Sequence, residues 1–294
     1  MAESVPRVNG ACGVYVGTYC RGSFRVSSFG RQQEGTTMCM MLGIDTKEPV
    51  RANELMEALY SHGNEHPNGW GLAYLPAGDG VQPTIIREAQ NAAVSERVQA
   101  ILREPVMTAY LIAHIRRASV GSTRLENCHP FEGKDRAGRR WVLAHNGTLF
   151  DPRKTVNYLG QRQGSTDSEA ILPYLIDASN AADAQGLGEE GRLEAVDRAV
   201  AALAPGNKLN LLFADGNHTF AYTNDANKTL WRLRLDDGWA FATAPLDERD
   251  WEPMPVCQLL VVRDGSVVFE GRVGEGVFTA DEAEYESMID HMRG

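Results

Sequence analysis

Long apolar runs, paired cysteines and an excess of positive charge are all missing from this sequence of 294 residues. No apolar stretch approaches the roughly 18 residues that a membrane-spanning helix needs, so we expect a soluble protein without a membrane partner. Lys and Arg number 29 against 39 Asp and Glu, which gives a net charge of −10. Because nucleic-acid binding depends on clustered basic side chains, this balance argues against a nucleic-acid partner.

The cysteines are few, odd in number and widely spaced. They are Cys12, Cys20, Cys39, Cys128 and Cys257. None belongs to a C-x-x-C pair, which argues against both a disulfide framework and a zinc ribbon. A reducing, cytoplasmic environment fits this pattern best.

Two histidines lie four residues apart, which is a spacing typical of a metal site on a helix. His62 and His66 have this spacing, but Gly63, Asn64 and Pro67 interrupt any helix there. We therefore favour a polar loop over a metal site. The sequence predicts neither a metal ion nor another cofactor.

Composition changes sharply at Cys39. Residues 1–38 contain six Gly, four basic and two acidic residues and no sustained periodicity, whereas 25 basic and 37 acidic residues remain over 39–294. No continuous apolar segment marks a secretory signal. We expect residues 1–38 to be a leader: untranslated upstream sequence, a propeptide or a disordered tail, the first being favoured. Residues 39–294 are expected to form the functional domain.

Periodicity beyond Cys39 predicts an α+β fold. Apolar alternation and helical spacing indicate strands at 39–44, 72–75, 84–87, 110–115, 141–144, 208–214, 217–223, 229–235, 239–244, 257–263 and 266–270, and helices at 51–61, 91–103, 167–180, 190–204 and 280–291. A long connection is expected at 117–139. Thr166 and Glu169 have the spacing of a capping box for the third helix. Because strands and helices occur in groups, antiparallel sheets are favoured over a doubly wound parallel sheet.

Cys39 has two interpretations. A cysteine in an apolar strand is usually an inert core residue. However, Met38 precedes it, and removal of that methionine would leave Cys39 as the first residue. Its thiol would then lie beside a free α-amine, whose pKa near 8 suits a general base.

Three further segments contain groups that such a nucleophile would need. Asn146-Gly147 is either a hairpin turn or an oxyanion hole. Arg116 or Arg117 either forms a structural salt bridge or binds a substrate carboxylate. Asp167 either caps a helix or binds a substrate ammonium group. An arginine and an aspartate acting together would recognise the α-amino-acid end of glutamine or of a γ-glutamyl compound.

The order of six motifs resembles that of class II glutamine amidotransferases, which are N-terminal-nucleophile hydrolases. The motifs are Met38-Cys39-x-x-x-Gly43, Asn68-Gly69-Trp70-Gly71, Ala113-His114-x-Arg116, Glu126-Asn127-x-His129-Pro130-Phe131, His145-Asn146-Gly147 and Thr166-Asp167-Ser168-Glu169. The likeness spans roughly 39–260 and is greatest to the stand-alone bacterial members. It implies a four-layer αββα sandwich with two mostly antiparallel sheets.

Residue roles follow from this resemblance at matching positions only. It implies that Cys39 is the nucleophile and its α-amine the base, and that Asn146 and Gly147 form the oxyanion hole. Arg116 and Asp167 would bind the substrate carboxylate and amino group. The remaining implied substrate-binding positions, beside the glutamine pocket, are Trp70, Gly71 and His145.

The implied reaction is hydrolysis through a γ-glutamyl thioester, with glutamate as the product. While residues 1–38 stay attached to Cys39, its nitrogen is an amide and cannot act as a base. No synthetase, isomerase or phosphoribosyltransferase domain is visible in this sequence, so we expect either that a separate subunit accepts ammonia or that the protein is simply a hydrolase of a γ-glutamyl amide. The alternatives are a hydrolase of γ-glutamyl peptides or thiol conjugates, and a catalytically silent glutamine-binding regulatory subunit.

Overall fold

The structure is a computed structural model that describes residues 38–76, 82–118 and 122–293. All of them fall within the unit Thr37–Gly294. Met38 is therefore the one residue of the expected leader whose contacts can be given, and the predictions for 1–37 lie outside the described residues. No helix in the described ranges combines the length and apolar character needed to cross a bilayer.

The described residues form short strands and five α-helices. The strands are β1 Met40–Arg51, β2 Trp70–Pro76, β3 Thr84–Glu88, β4 Met107–Ile115, β5 Phe131–Lys134, β6 Arg140–Thr148, β7 Lys208–Ala214, β8 Thr219–Thr223, β9 Trp231–Leu235, β10 Gly238–Ala242, β11 Glu252–Pro253, β12 Leu260–Arg263 and β13 Ser266–Glu270. The helices are α1 Asn53–Ser61, α2 Glu96–Arg103, α3 Ile171–Ala184, α4 Gly188–Leu203 and α5 Glu282–Arg293.

These strands pair into two sheets. The first has the order β11-β9-β10-β1-β4-β2-β3, and the second has the order β13-β12-β8-β7-β6-β5. Every pairing between neighbours in these orders is antiparallel. The predicted α+β class with antiparallel sheets is confirmed.

Apolar side chains on both faces of each sheet produce four layers. Alternate residues of β1 and β7, such as Met41 and Leu212, meet between the sheets in a fully buried cluster. On the outer face of the first sheet, Leu42 packs with Met56 and Leu59 of α1. The outer face of the second sheet packs against α3 and α4. The order of layers is helix, sheet, sheet, helix, as the resemblance implied.

Two local predictions were wrong. The connection expected at 117–139 contains β5, which pairs with β6 at the edge of the second sheet. The capping box does not form, since Asp167 precedes a 3₁₀ turn, Ser168–Ala170, without a side-chain cap, and α3 begins only afterwards. The Glu169 carboxylate instead accepts the backbone N–H groups of Gln163 and Gly164.

Replacing Leu212 tests the packing between the sheets. Because its side chain is fully buried there, Leu212→Ala should lower the free energy of unfolding by about 2–5 kcal/mol. Urea denaturation followed by circular dichroism measures this change. Leu187→Ala is the matched control, since Leu187 is 45% exposed, and should cost less than about 1 kcal/mol. Equal losses in the two variants would contradict the assigned core.

Candidate active site

Cys39 lies directly before β1, at the edge where β1 begins and β4 ends. Antiparallel pairing sets Met40 opposite Ile115, so the residues just beyond β4 lie beside the cysteine. The Arg117 backbone N–H donates to Cys39 Sγ, with a nitrogen–sulfur distance of 3.3 Å. The thiol in turn donates to the Arg117 carbonyl oxygen, also at 3.3 Å. Both main-chain groups of Arg117 therefore hold the thiol at the sheet edge.

Burial dominates the electrostatics of this thiol. It raises the pKa of Cys39 above the ordinary value, because the thiolate is poorly solvated there. The Arg117 backbone N–H and the charge on Arg116 oppose this rise in pKa but do not cancel it. With Met38 attached through an amide bond, the site therefore favours the protonated thiol, which is a weak nucleophile.

Asn146 connects the second sheet to Cys39. Its side-chain nitrogen donates to the Cys39 carbonyl oxygen at 2.6 Å. The segment is not a hairpin turn, because β6 continues through it and Asn146 and Gly147 pair with Asn210 and Leu209 of β7. A carboxamide nitrogen carries two hydrogens, so a second N–H remains for an oxyanion.

Gly147 is required by close packing. A Cβ atom added at this position would lie well inside van der Waals contact with the Lys208 carbonyl oxygen and would also crowd the His145 ring. Any larger residue would push β6 away from β7. Asn146 and Gly147 therefore keep a fixed position relative to the thiol.

The structure distinguishes the two adjacent arginines. Arg116 is 2% exposed, and its guanidinium donates to the Ser122 carbonyl oxygen at 3.2 Å. Its main chain is fixed by Gly69, whose carbonyl oxygen accepts the Arg116 N–H at 2.8 Å. Arg117 is more exposed, and its backbone N–H donates to Cys39 Sγ. Arg116 is thus the buried cation beside the thiol.

Asp167 faces the same region from the turn before α3. Its Oδ2 atom accepts the Leu149 backbone N–H at 2.6 Å, just beyond the end of β6. Burial raises the pKa of the Tyr285 phenol, and the charges of Cys39 and Asp167 add to this rise. The thiol and this carboxylate therefore both lie in the neighbourhood of Tyr285.

His145 has no ring nitrogen left for a substrate. Its Nε2 lies 3.1 Å from the Lys208 carbonyl oxygen, and its Nδ1 lies 2.9 Å from Ser168 Oγ. A carbonyl oxygen only accepts, so Nε2 carries the hydrogen and Nδ1 accepts from the serine. Burial lowers the pKa of His145 and favours this neutral form. The ring links β6 and β7 to the turn that carries Asp167.

Trp70 and Gly71 lie in β2, two strands away from β1. The Trp70 ring packs edge-on against Tyr60 of α1, with 5.8 Å between ring centroids, and its Nε1 donates to Glu88 at 3.0 Å. Its ring is therefore in the core between the first sheet and α1. Gly71 pairs with His114, and a Cβ there would overlap the His129 carbonyl oxygen.

The contacts that α5 contributes near the candidate site could not be predicted from local sequence patterns. Tyr285 shares a hydrogen bond of 2.7 Å with Thr148 at the end of β6, and Lys208 Nζ lies 4.8 Å from the centroid of its ring. Met38 packs with Tyr285 and Phe278 in a small apolar cluster. The only available signal was an amphipathic pattern at the terminal helix, which does not specify a partner.

Metal binding finds no support in the described part of the chain. No group of three or more His, Cys, Asp or Glu side chains within it could hold a metal ion. Both ring nitrogens of His66 face carbonyl oxygens, those of His62 and Met38, at 2.9 and 2.7 Å. The candidate site described above includes the Cys39 thiol, the Asn146 carboxamide and the charged side chains of Arg116 and Asp167.

Several known proteins are similar to this chain. A putative glutamine amidotransferase of Haemophilus influenzae is 30% identical over 63% of this chain and 63% of its own length. A second one, YafJ of Escherichia coli, is 28% identical over 63% of this chain and 72% of its own. An uncharacterized protein of Methanocaldococcus jannaschii is 27% identical over 80% of this chain and 72% of its own.

Solved structures share the fold. A predicted glutamine amidotransferase of Pseudomonas aeruginosa superposes with a TM-score of 0.58 at 21% identity, over 79% of this chain and all of its own. The glutamine phosphoribosylpyrophosphate amidotransferase of Bacillus subtilis gives a TM-score of 0.60 at 17% identity, over 81% of this chain and half of its own.

A family model matches most of the described unit. The model of the class II glutamine amidotransferases matches residues 38–238, which include every predicted site residue. The match begins at the methionine before the candidate nucleophile and covers more than half of the chain. The protein belongs to the class II glutamine amidotransferases.

Proposed function

We propose that this protein hydrolyses the side-chain amide of glutamine, or of a γ-glutamyl compound, with Cys39 as the nucleophile. The supporting observation is the convergence at one sheet edge of a thiol, the Asn146 carboxamide and the buried Arg116. Family membership supports an enzyme of the glutamine amidotransferase type. The cysteines within the described residues, Cys39, Cys128 and Cys257, are free, which suits a reducing cytoplasm.

The proposed mechanism requires Cys39 to be the first residue. Its free α-amine takes the thiol proton, and the sulfur attacks the side-chain carbonyl carbon of the substrate. The oxyanion that forms accepts hydrogen bonds from the Asn146 side chain and the Gly147 backbone N–H. As the carbon–nitrogen bond breaks, the ammonium group returns its proton to the departing ammonia or amine.

Water completes the proposed cycle. The α-amine removes a proton from the water molecule, which attacks the γ-glutamyl thioester and releases glutamate and the thiol. Throughout both steps Arg116 pairs with the substrate α-carboxylate and Asp167 with its α-ammonium group. In this mechanism the substrate is not contacted by Trp70, Gly71 or His145. These three residues position the strands that carry the reacting groups.

One observation favours a second candidate, a glutamine-binding regulatory subunit. Met38 is buried, and its carbonyl oxygen lies 2.7 Å from His66 Nε2. A chain that retains Met38 has no α-amine at the thiol, and burial raises the pKa of that thiol. Such a chain would bind glutamine between Arg116 and Asp167 without hydrolysing it.

Cys39→Ala separates binding from turnover. The variant should release no glutamate above background, because no thioester forms, while glutamine still binds between Arg116 and Asp167. A coupled glutamate assay measures turnover, and isothermal titration calorimetry measures binding. Cys257→Ala is the matched control, since Cys257 is buried beside Tyr222 in another part of the chain, and it should keep its turnover. Glutamate release by Cys39→Ala would exclude Cys39 as the nucleophile.

Asp167→Asn tests the binding of the substrate ammonium group. Asparagine keeps an oxygen for the Leu149 N–H but loses the negative charge, so KM for glutamine should rise about 10- to 100-fold while the melting temperature changes little. Asp177→Asn, at an exposed position of α3, is the control. An unchanged KM in Asp167→Asn would remove this carboxylate from the substrate site.

A further inference from the structure

His66 makes two contacts that a neutral imidazole cannot satisfy together. Its Nδ1 lies 2.9 Å from the His62 carbonyl oxygen, and its Nε2 lies 2.7 Å from the Met38 carbonyl oxygen. Both oxygens only accept hydrogen bonds, and a neutral ring has one N–H. The ring is 1% exposed, and burial lowers its pKa, which disfavours the doubly protonated form. One of the two contacts is therefore mismatched while Met38 is present.

Removal of Met38 resolves this mismatch. The His62 carbonyl remains in every form of the chain, so it retains the Nδ1 hydrogen and leaves the Nε2 lone pair facing the start of β1. A carbonyl oxygen lies about 2.2 Å from the nitrogen of the next residue across a planar peptide bond. His66 Nε2 is therefore within about 5 Å of the Cys39 nitrogen.

We propose that His66 is a positioning residue for the α-amine of Cys39. Nε2 accepts a hydrogen bond from the ammonium form of that amine. The bond is either direct or bridged by a water molecule at the place that the Met38 carbonyl oxygen occupies when Met38 is present. This inference rests on the proposed function, because it requires Cys39 as the first residue. The hydrogen bond stabilises the ammonium group, and the ammonium group in turn stabilises the neighbouring thiolate.

The charged groups around His66 do not provide this contact themselves. Glu65 and His62 lie on the same loop, and His114 approaches from β4. His62 Nδ1 lies 3.5 Å from Glu65 Oε2 on the exposed side of the loop. His114 is fully buried, and burial holds its pKa well below the usual range. In the Cys39-first protein the α-amine therefore faces a neutral acceptor at His66.

The test compares His66→Gln with His66→Asn in the protein whose intact mass begins at Cys39. Glutamine carries its amide oxygen near the Nε2 position, whereas asparagine is too short to reach it. Alkylation of Cys39 by iodoacetamide, followed by peptide mass spectrometry across pH 5–10, reports the thiolate population without a substrate. At pH 7, Cys39 in His66→Asn should be alkylated about tenfold more slowly than in the native protein, and the midpoint of its rate against pH should rise by about one pH unit. The alkylation rate of His66→Gln should stay within about threefold of the native rate.

Two controls separate positioning from structure. His62→Asn changes a partly exposed ring on the same loop and should alkylate at the native rate. His66→Asn in the full chain, where the Cys39 nitrogen is an amide, should leave the alkylation midpoint unchanged. Equal rates for native protein and His66→Asn in the Cys39-first form would overturn the proposal. So would the same slowing in both forms, because it would indicate a structural role.

If His66→Asn does not fold, a spectroscopic measurement on the native Cys39-first protein tests the role of His66 instead. Nitrogen-15 chemical shifts of the native Cys39-first protein should show His66 protonated at Nδ1 and unprotonated at Nε2. Protonation at Nε2 instead would contradict the proposal. Glutamate release by the same sample tests the proposed function separately: its absence would exclude hydrolysis, whereas a normal rate together with an unaffected His66→Asn would exclude only the role of His66.

Discussion

The candidate site depends on β1 being fixed to the opposite sheet at two points, beside its first residue and near its middle. Near the thiol, the Asn146 side chain donates to the Cys39 carbonyl oxygen at 2.6 Å. Farther along β1, the buried Asp45 carboxylate accepts the Thr219 hydroxyl at 2.7 Å and the Gly265 N–H at 2.8 Å. The apolar cluster between these two contacts fixes the separation of the sheets. A shift of one sheet along the other would move the Asn146 carboxamide away from Cys39.

The residue preceding Cys39 decides what this arrangement can do. Burial stabilises the neutral thiol, and the Arg117 N–H and the Arg116 charge offset only part of that effect. In the proposed mechanism the base next to the sulfur is the free α-amine of Cys39. The two proposed functions, hydrolysis and binding without turnover, therefore differ by the one peptide bond between Met38 and Cys39.

Local sequence patterns predicted an α+β fold with antiparallel sheets, and the family resemblance implied the four layers, but neither predicted the contacts within the candidate site. Apolar alternation in β1, β4 and β7 was enough to place buried strands, because both faces of these strands are covered. The role of His145 could not be predicted, since its partners Ser168 and Lys208 are 23 and 63 residues away. Asn146-Gly147 reads locally as a turn, yet pairing with β7 keeps it extended. β5 was missed because its four residues are too short for a periodic signal.

The N-terminal residue of the active species tests the central claim most directly. Native protein should be separated into the population whose intact mass begins at Cys39 and any population that retains Met38, and each should be assayed for glutamate release from glutamine. The account predicts activity only in the Cys39-first population, because only there is the α-amine free to act as a base. Equal activity per molecule in a population that still begins at Met1 would contradict it.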